Sequence, residues 1–177
     1  MNSQLILTVI CDDKPGIVEQ LAQTISNHQG NWLESRMSHL AGKFAGILQV
    51  AVNEIHKASL RQALTDLHSK GFKIIVEDAL SVTPSDCRQF SFTVVGADRP
   101  GIVREIAQAF SVRHINMGEL ETACSSMPWS GEPLFEASGI IEVPKSVNLN
   151  DLYDQLDKIA DDLAIDIRLE SSSEQSV

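Results

Sequence analysis

The segment DDKPGIVEQLAQ begins at Asp12, and ADRPGIVREIAQ begins at Ala97, 85 positions later. Aligned at that offset, residues 8–34 and 93–119 are identical at twelve of 27 positions. Self-similarity over such a span means that one supersecondary unit has been duplicated. Two copies are too few for a solenoid, yet each is long enough to be a small domain. Whatever one copy folds into, the other must be able to fold into as well.

The first copy opens with a strand around Leu5–Ile10, rich in β-branched and aliphatic residues. Asp12-Asp13-Lys14-Pro15-Gly16 is a turn. Val18, Leu21, Ala22 and Ile25 then recur at helical spacing, and Gly30 is placed to stop that helix. A strand over Asn31–Leu40, a tight turn at Ala41-Gly42-Lys43 and an alternating strand from Phe44 to Val52 form a hairpin. Leu60, Leu64 and Leu67 mark a second helix ended by Gly71, and Phe72–Val82 is the closing strand. The second copy repeats the order. It has a strand at Phe90–Val95, a turn at Asp98-Arg99-Pro100-Gly101, and a helix face of Val103, Ile106, Ala107 and Phe110. Strands follow from Asn116 and over Phe135–Val143. Leu152, Leu156, Ile159 and Leu163 then form a helix face, before a last strand at Ala164–Glu170.

The order βαββαβ, twice, predicts an α+β chain of two ferredoxin-like domains, each an antiparallel four-stranded sheet with two helices on one face. The expected boundaries are 1–83, a linker at 84–89, 90–170, and a frayed polar tail at 171–177. The free face of each sheet must be polar or covered. Units of this size are marginal alone, so pairing of the repeats and a homodimer are expected.

Composition narrows the function classes. The chain is 43% hydrophobic and 21% charged, with a formal net charge of −10. The densest basic stretch is only Arg99, Arg104 and Arg113, with Glu105 among them. A protein that grips nucleic acid must neutralise phosphates, so direct binding to nucleic acid is not expected. No run approaches the roughly 18 apolar residues of a membrane helix, and the amino-terminal stretch alternates like a strand, unlike a signal peptide. Cys11, Cys87 and Cys124 are odd in number and widely spaced, which suits reduced thiols in a cytoplasmic protein. His28, His39, His56, His68 and His114 form no metal-spaced pair. There is no GxSxG, P-loop or GxGxxG pattern. The expectation is a protein with no catalytic residues, no metal and no cofactor.

The repeated turn has two readings. In the structural one, Asp accepts from free turn and helix-start amides, Pro suits the first helical turn and Gly permits a tight path. In the other, the same geometry holds a ligand. A helix start favours a carboxylate, while Asp13 or Asp98 favours an ammonium group. Gly16 or Gly101 would let the ligand approach closely. Asn31 and Asn116, each 18 residues after its Asp, add an amide with donor and acceptor. Opposite charges a few ångströms apart describe a free amino acid.

The βαββαβ order together with Asp-x-Pro-Gly-Ile-Val resembles the ACT domain, a regulatory module that commonly binds amino acids. The resemblance covers both repeats. It implies sites between units, formed by the turn after the first strand of one unit and the second strand's start in another. The implied residues are Asp13, Pro15, Gly16, Ile17 and Asn31, and Asp98, Pro100, Gly101, Ile102 and Asn116. A stand-alone pair of such units further resembles the glycine-responsive repressors of glycine cleavage genes, which act through a DNA-binding transcriptional activator. The ligand so implied is glycine. ACT units also serve as regulatory subunits of metabolic enzymes, and a purely structural dimerisation module is a third possibility.

The repeats differ in two respects. Cys11 and Asp12 of the first turn become Gly96 and Ala97 in the second, so the two turns need not share a ligand. Asn31 to Phe44 is 13 positions and Asn116 to Phe135 is 19, an insertion of 19 − 13 = 6 residues. The inserted region 121–133 contains Met127, Pro128 and Trp129. It is expected either to fold back over its own sheet or to dock a partner or cover a ligand.

Overall fold

The computed structural model describes residues 2–80, 86–128 and 130–171. The chain divides into two compact units, Met1–Val82 and Thr83–Val177. The first contains β1 (Asn2–Asp12), α1 (Ile17–Asn27), β2 (Asn31–Leu40), β3 (Lys43–Asn53), α2 (Glu54–Asp66), a 3-10 turn (Leu67–Lys70) and β4 (Lys73–Asp78). The second contains β5 (Cys87–Ala97), α3 (Ile102–Ser111), β6 (Asn116–Ser126), β7 (Pro133–Pro144), α4 (Leu149–Leu163) and β8 (Ile165–Ser171). The strand orders are β2-β3-β1-β4 and β6-β7-β5-β8, the same topology twice. All strand pairs are antiparallel.

Alternation within the strands decides which face is covered. Leu5, Leu7 and Val9 of β1 and Leu48, Val50 and Val52 of β3 pack with Leu21 and Ile25 of α1 and Leu60 and Leu64 of α2. Burying each such side chain contributes about 1.5–3 kcal/mol. The second core has the same plan with larger rings, built on Phe90, Phe92 and Val94 against Ile106, Phe110, Leu152 and Leu156. Phe92 meets Phe110 edge to face, with ring centroids 5.6 Å apart.

Local details differ from the sequence reading in several places. Gln29, not Gly30, takes the left-handed conformation after α1, at φ 58°. Gly30 is needed for closeness instead, since a Cβ there would lie 2.7 Å from Ile25 Cγ2 and 3.2 Å from Val50 Cγ1. Gly71 does end its helix in the left-handed region, at φ 92°. β4 is shorter than Phe72–Val82 because its pairing with β1 runs only from Lys73 to Asp78. β5 starts at Cys87, inside the expected linker, because Cys87 to Gln89 pair with Pro144 to Glu142. Ser171 still pairs, with Phe90. Residues 172–177 lie outside the described residues.

The insertion does not fold back over the sheet. Residues 121–126 continue β6, and the hairpin gains one more pair, Ser126 with Pro133, before a loop over 127–132. That loop is closed by Met127 N–H to Glu132 O at 2.8 Å and Gly131 N–H to Met127 O at 3.0 Å. The fold-back fails because β7 offers β6 a partner as far as Ser126, so two of the six added residues lengthen the ladder and the other four lengthen the loop. Met127 is half-buried and Pro128 exposed at the tip; Trp129 lies outside the described residues.

Candidate functional site

The two repeated turns lead into the two helices that lack a side-chain cap. α1 and α3 start at Gly16 and Gly101, in the left-handed region at φ 87° and 107°, and no side chain accepts from their first amides. By contrast, α2 and α4 are capped by Asn53, accepting from Ile55 N–H at 3.2 Å, and Asn148, accepting from Asn150 N–H at 3.0 Å. So the aspartates do not cap these helices. Their backbones tie the turns to the hairpins instead: Asp13 N–H donates to Gly42 O at 3.0 Å and Asp98 N–H to Pro133 O at 2.9 Å. Pro15 and Pro100 stand one residue before the N-cap, not at the first helical position. Glycine is required at the N-cap by backbone angle, since a Cβ at Gly16 would meet nothing closer than Glu19 Oε2 at 4.0 Å.

Beside the first turn lies a cavity of about 150 Å³ lined by Cys11, Asp12, Lys14, Pro15, Gly16, Ile17, Gln20, Lys70, Gly71 and Phe72. Its walls come from the end of β1, the first turn of α1 and the 3-10 turn before β4. Phe72 and Ile17 are buried, at 3% and 8% exposure, and Cys11 is buried with them. The rim carries both signs of charge. The Asp12 carboxylate accepts from Lys43 and lies 3.9 Å from Lys14. The Lys43 hydrogen bond, then the charges of Lys43 and Lys14, hold Asp12 below the usual carboxylate range. Burial, followed by the charges of Asp12 and Asp13, pushes the Cys11 thiol up, so it stays a neutral wall at physiological pH.

Of the expected residues, Pro15, Gly16 and Ile17 line this cavity, and Asp13 stands next to it in the chain without lining it. Asn31 is elsewhere. It pairs with Ala51, whereas Asp12 pairs with Lys43, so eight residues of β3 (51 − 43) separate the two ends. At about 3.3 Å per residue that is roughly 26 Å. The second unit has the same geometry: Ala97 pairs with Leu134 and Asn116 with Glu142. Asn116 Nδ2 donates to Glu142 Oε2 at 3.1 Å, beside a surface hollow of about 490 Å³ that Phe110, His114 and Met117 also line. No single unit can therefore offer its turn and its asparagine to one small ligand.

Lys14, Gln20 and Lys70 were not singled out from the sequence, and Asp12 was noted only as a position where the two turns differ. Lys70 had one signal, its place immediately before the helix-ending Gly71. Among the described residues, no group of three or more His, Cys, Asp or Glu could hold a metal ion, and no helix is long and apolar enough to cross a membrane.

Comparison with known proteins shows what this geometry is similar to. Residues 3–77 match the model of the ACT domain. An unknown protein from Galdieria sulphuraria superposes with a TM-score of 0.84 at 28% identity, covering 97% of this chain and 99% of that one. A protein provisionally named a glycine cleavage system transcriptional repressor superposes with a TM-score of 0.68 at 17% identity, covering 96% and 97%, a likeness of fold. No curated protein matches. Residues 3–77 thus match the ACT-domain model, and the second unit repeats the strand order of the first.

Proposed function

We propose that this ACT-domain regulatory protein is a sensor of a small amino acid, glycine first among the candidates, and that it acts on a protein partner. The observation that carries the reading is the cavity beside the first turn. It joins an uncapped helix start and Lys70, which suit a carboxylate, to the ionised Asp12, which suits an ammonium group. Asn31 and Asn116 can join such a ligand only from another ACT unit, so a composite site requires two units. The outer face of the first sheet supports homodimer formation, since Ile10, Ile47 and Ile75 are 43–62% exposed there.

The partner we propose is a DNA-binding transcriptional activator whose glycine cleavage genes this chain represses. The net charge of −10 supports control through a protein over direct contact with phosphates. Ligand and partner are coupled by linkage: whatever factor glycine changes in partner affinity, the partner changes in glycine affinity. The test is isothermal titration with glycine, serine and the remaining amino acids, followed by partner capture with and without the ligand that binds. Saturable binding of one small amino acid that alters capture of a DNA-binding protein is the expected result. Capture of a metabolic enzyme would move the reading to an enzyme's regulatory subunit. No binding of any amino acid to the folded chain would overturn the sensor.

A further inference from the structure

We infer that the chain has one live ligand site, at the first turn, which takes a zwitterion, and that the second turn is committed to holding its own unit together. This rests on the amino-acid reading above and adds where and how many.

The inference comes from comparing the two turns position by position. The pairings of β4 and β8 with the central strands set the correspondence: Ile10 pairs with Lys73 and Val95 with Asp166, so Lys70, Gly71 and Phe72 correspond to Leu163, Ala164 and Ile165. Two of the three charged side chains that line the first cavity are missing from the second turn, where Asp12 is replaced by Ala97 and Lys70 by Leu163. Leu163 packs against the second core instead of extending from it. Cys11, a wall of the first cavity, is replaced by Gly96, where a Cβ would lie 2.4 Å from Ile165 Cγ2. The Ile165 side chain therefore takes up space that a side chain fills in the first unit. Lys14 becomes Arg99, whose Nη2 donates to Asp162 O at 3.0 Å and so ties the turn to the last turn of α4. Gln20 becomes Glu105, which is engaged by Arg104 at 2.6 Å.

The geometry directs the carboxylate to the α1 amides and Lys70, and the ammonium to Asp12.

The test is an amide spectrum of the full-length 15N-labelled chain titrated with glycine. Gly16, Ile17 and Gly71 should shift saturably with one equivalent, while Gly101, Ile102 and Ala164 stay in place. Parallel saturation at both turns would overturn the single-site inference and leave the amino-acid reading standing. No shift with glycine, alanine or serine would overturn that reading and this inference with it. Sodium acetate at equal concentration separates the charges, and acetate binding as tightly as glycine would refute the zwitterion. The double variant Asp12→Ala, Lys70→Leu gives the first turn the second turn's residues. With two charge-assisted contacts removed, it should bind glycine about 100-fold or more weakly, its own spectrum reporting that it folds. Arg99→Ala should leave glycine affinity within about twofold; a tenfold loss would place a ligand at the second turn and defeat the proposal.

Discussion

The two units share a backbone plan but present different outer surfaces. One row across the first sheet reads Ile75, Thr8, Ile47, Arg36, and the corresponding row of the second reads Arg168, Thr93, Ser138, Glu121. The next row reads Lys73, Ile10, Ala45, Ser38 in the first unit and Asp166, Val95, Glu136, Ala123 in the second. Four of these eight positions are aliphatic in the first sheet and two in the second, where the rest are polar or charged. Their inner faces agree, both closed by large apolar side chains. Inner positions are held by the need to fill a core, and outer positions and turns have been free to diverge. A duplicated chain can then keep one fold and give its copies different work.

The comparison breaks most easily in the cores. Leu7 and Phe92 occupy the same place on the central strands, and both are buried, at 0% and 1% exposure. Leu7→Ala should cost about 2–5 kcal/mol and Phe92→Ala about 3–5 kcal/mol. Denaturant unfolding followed by probes in each unit should show only the altered unit shifting. Equal shifts in both units would mean that they unfold as one body.

A smaller effect is expected where the turns diverge. Gly96→Cys gives the second unit the first unit's residue and forces a Cβ against Ile165 at 2.4 Å. Overpacking of this kind costs about 1–3 kcal/mol, and thermal unfolding of the variant measures it. An unchanged midpoint would show that β8 yields freely.

Smaller again are the helix ends. Gly71 and its counterpart Ala164 are both left-handed, at φ 92° and 49°. Ala164→Gly should stabilise the second unit by about 0.5–1 kcal/mol, and Gly71→Ala should destabilise the first by about 1 kcal/mol. Nothing lies within 4 Å of a Cβ at Gly71, so that loss would be one of backbone angle alone.

The smallest effect concerns acid. In the first unit, Lys57 and Arg61 hold Asp78 below its ordinary range, and the Ser3 hydroxyl, followed by the Lys57 charge, does the same for Glu54. A carboxylate whose folded pKa is lowered contributes stability above its unfolded pKa, and loses it as pH falls through the folded one. These pairs are exposed and screened by solvent. The first unit should therefore lose a little stability below about pH 4. Asp78→Asn should flatten that part of its pH profile in a stability titration, and an unchanged slope would show that the pairs contribute nothing.

Much of the fold was legible because its signals are local. Alternation in Phe44–Val52, the Leu60–Leu64–Leu67 spacing and the left-handed demand at Gly16 act within a few residues, so the unit order could be read directly. The misread Gly30 shows the limit, since its requirement comes from how closely the chain passes Ile25 and Val50 once folded. The fold-back reading of the insertion failed for a related reason, because apolar residues near a hairpin tip say nothing about how far β7 will pair with β6. At the site, Pro15, Gly16 and Ile17 were found from the motif. Lys70 and Phe72 stand more than fifty residues further on and reach the cavity only through the pairing of β4 with β1.

By itself, then, the sequence determined that this chain is one module twice, with the same turn and helix start in each copy, because repetition, periodicity and backbone preference are local properties. Only the tertiary structure decided that the turn and the asparagine of a unit stand at opposite ends. It also decided that Asp12 and Lys70 face one cavity and that Ile165 and Arg99 occupy the corresponding ground in the second copy. Those facts depend on strand register, which is set when distant segments bury their apolar faces together.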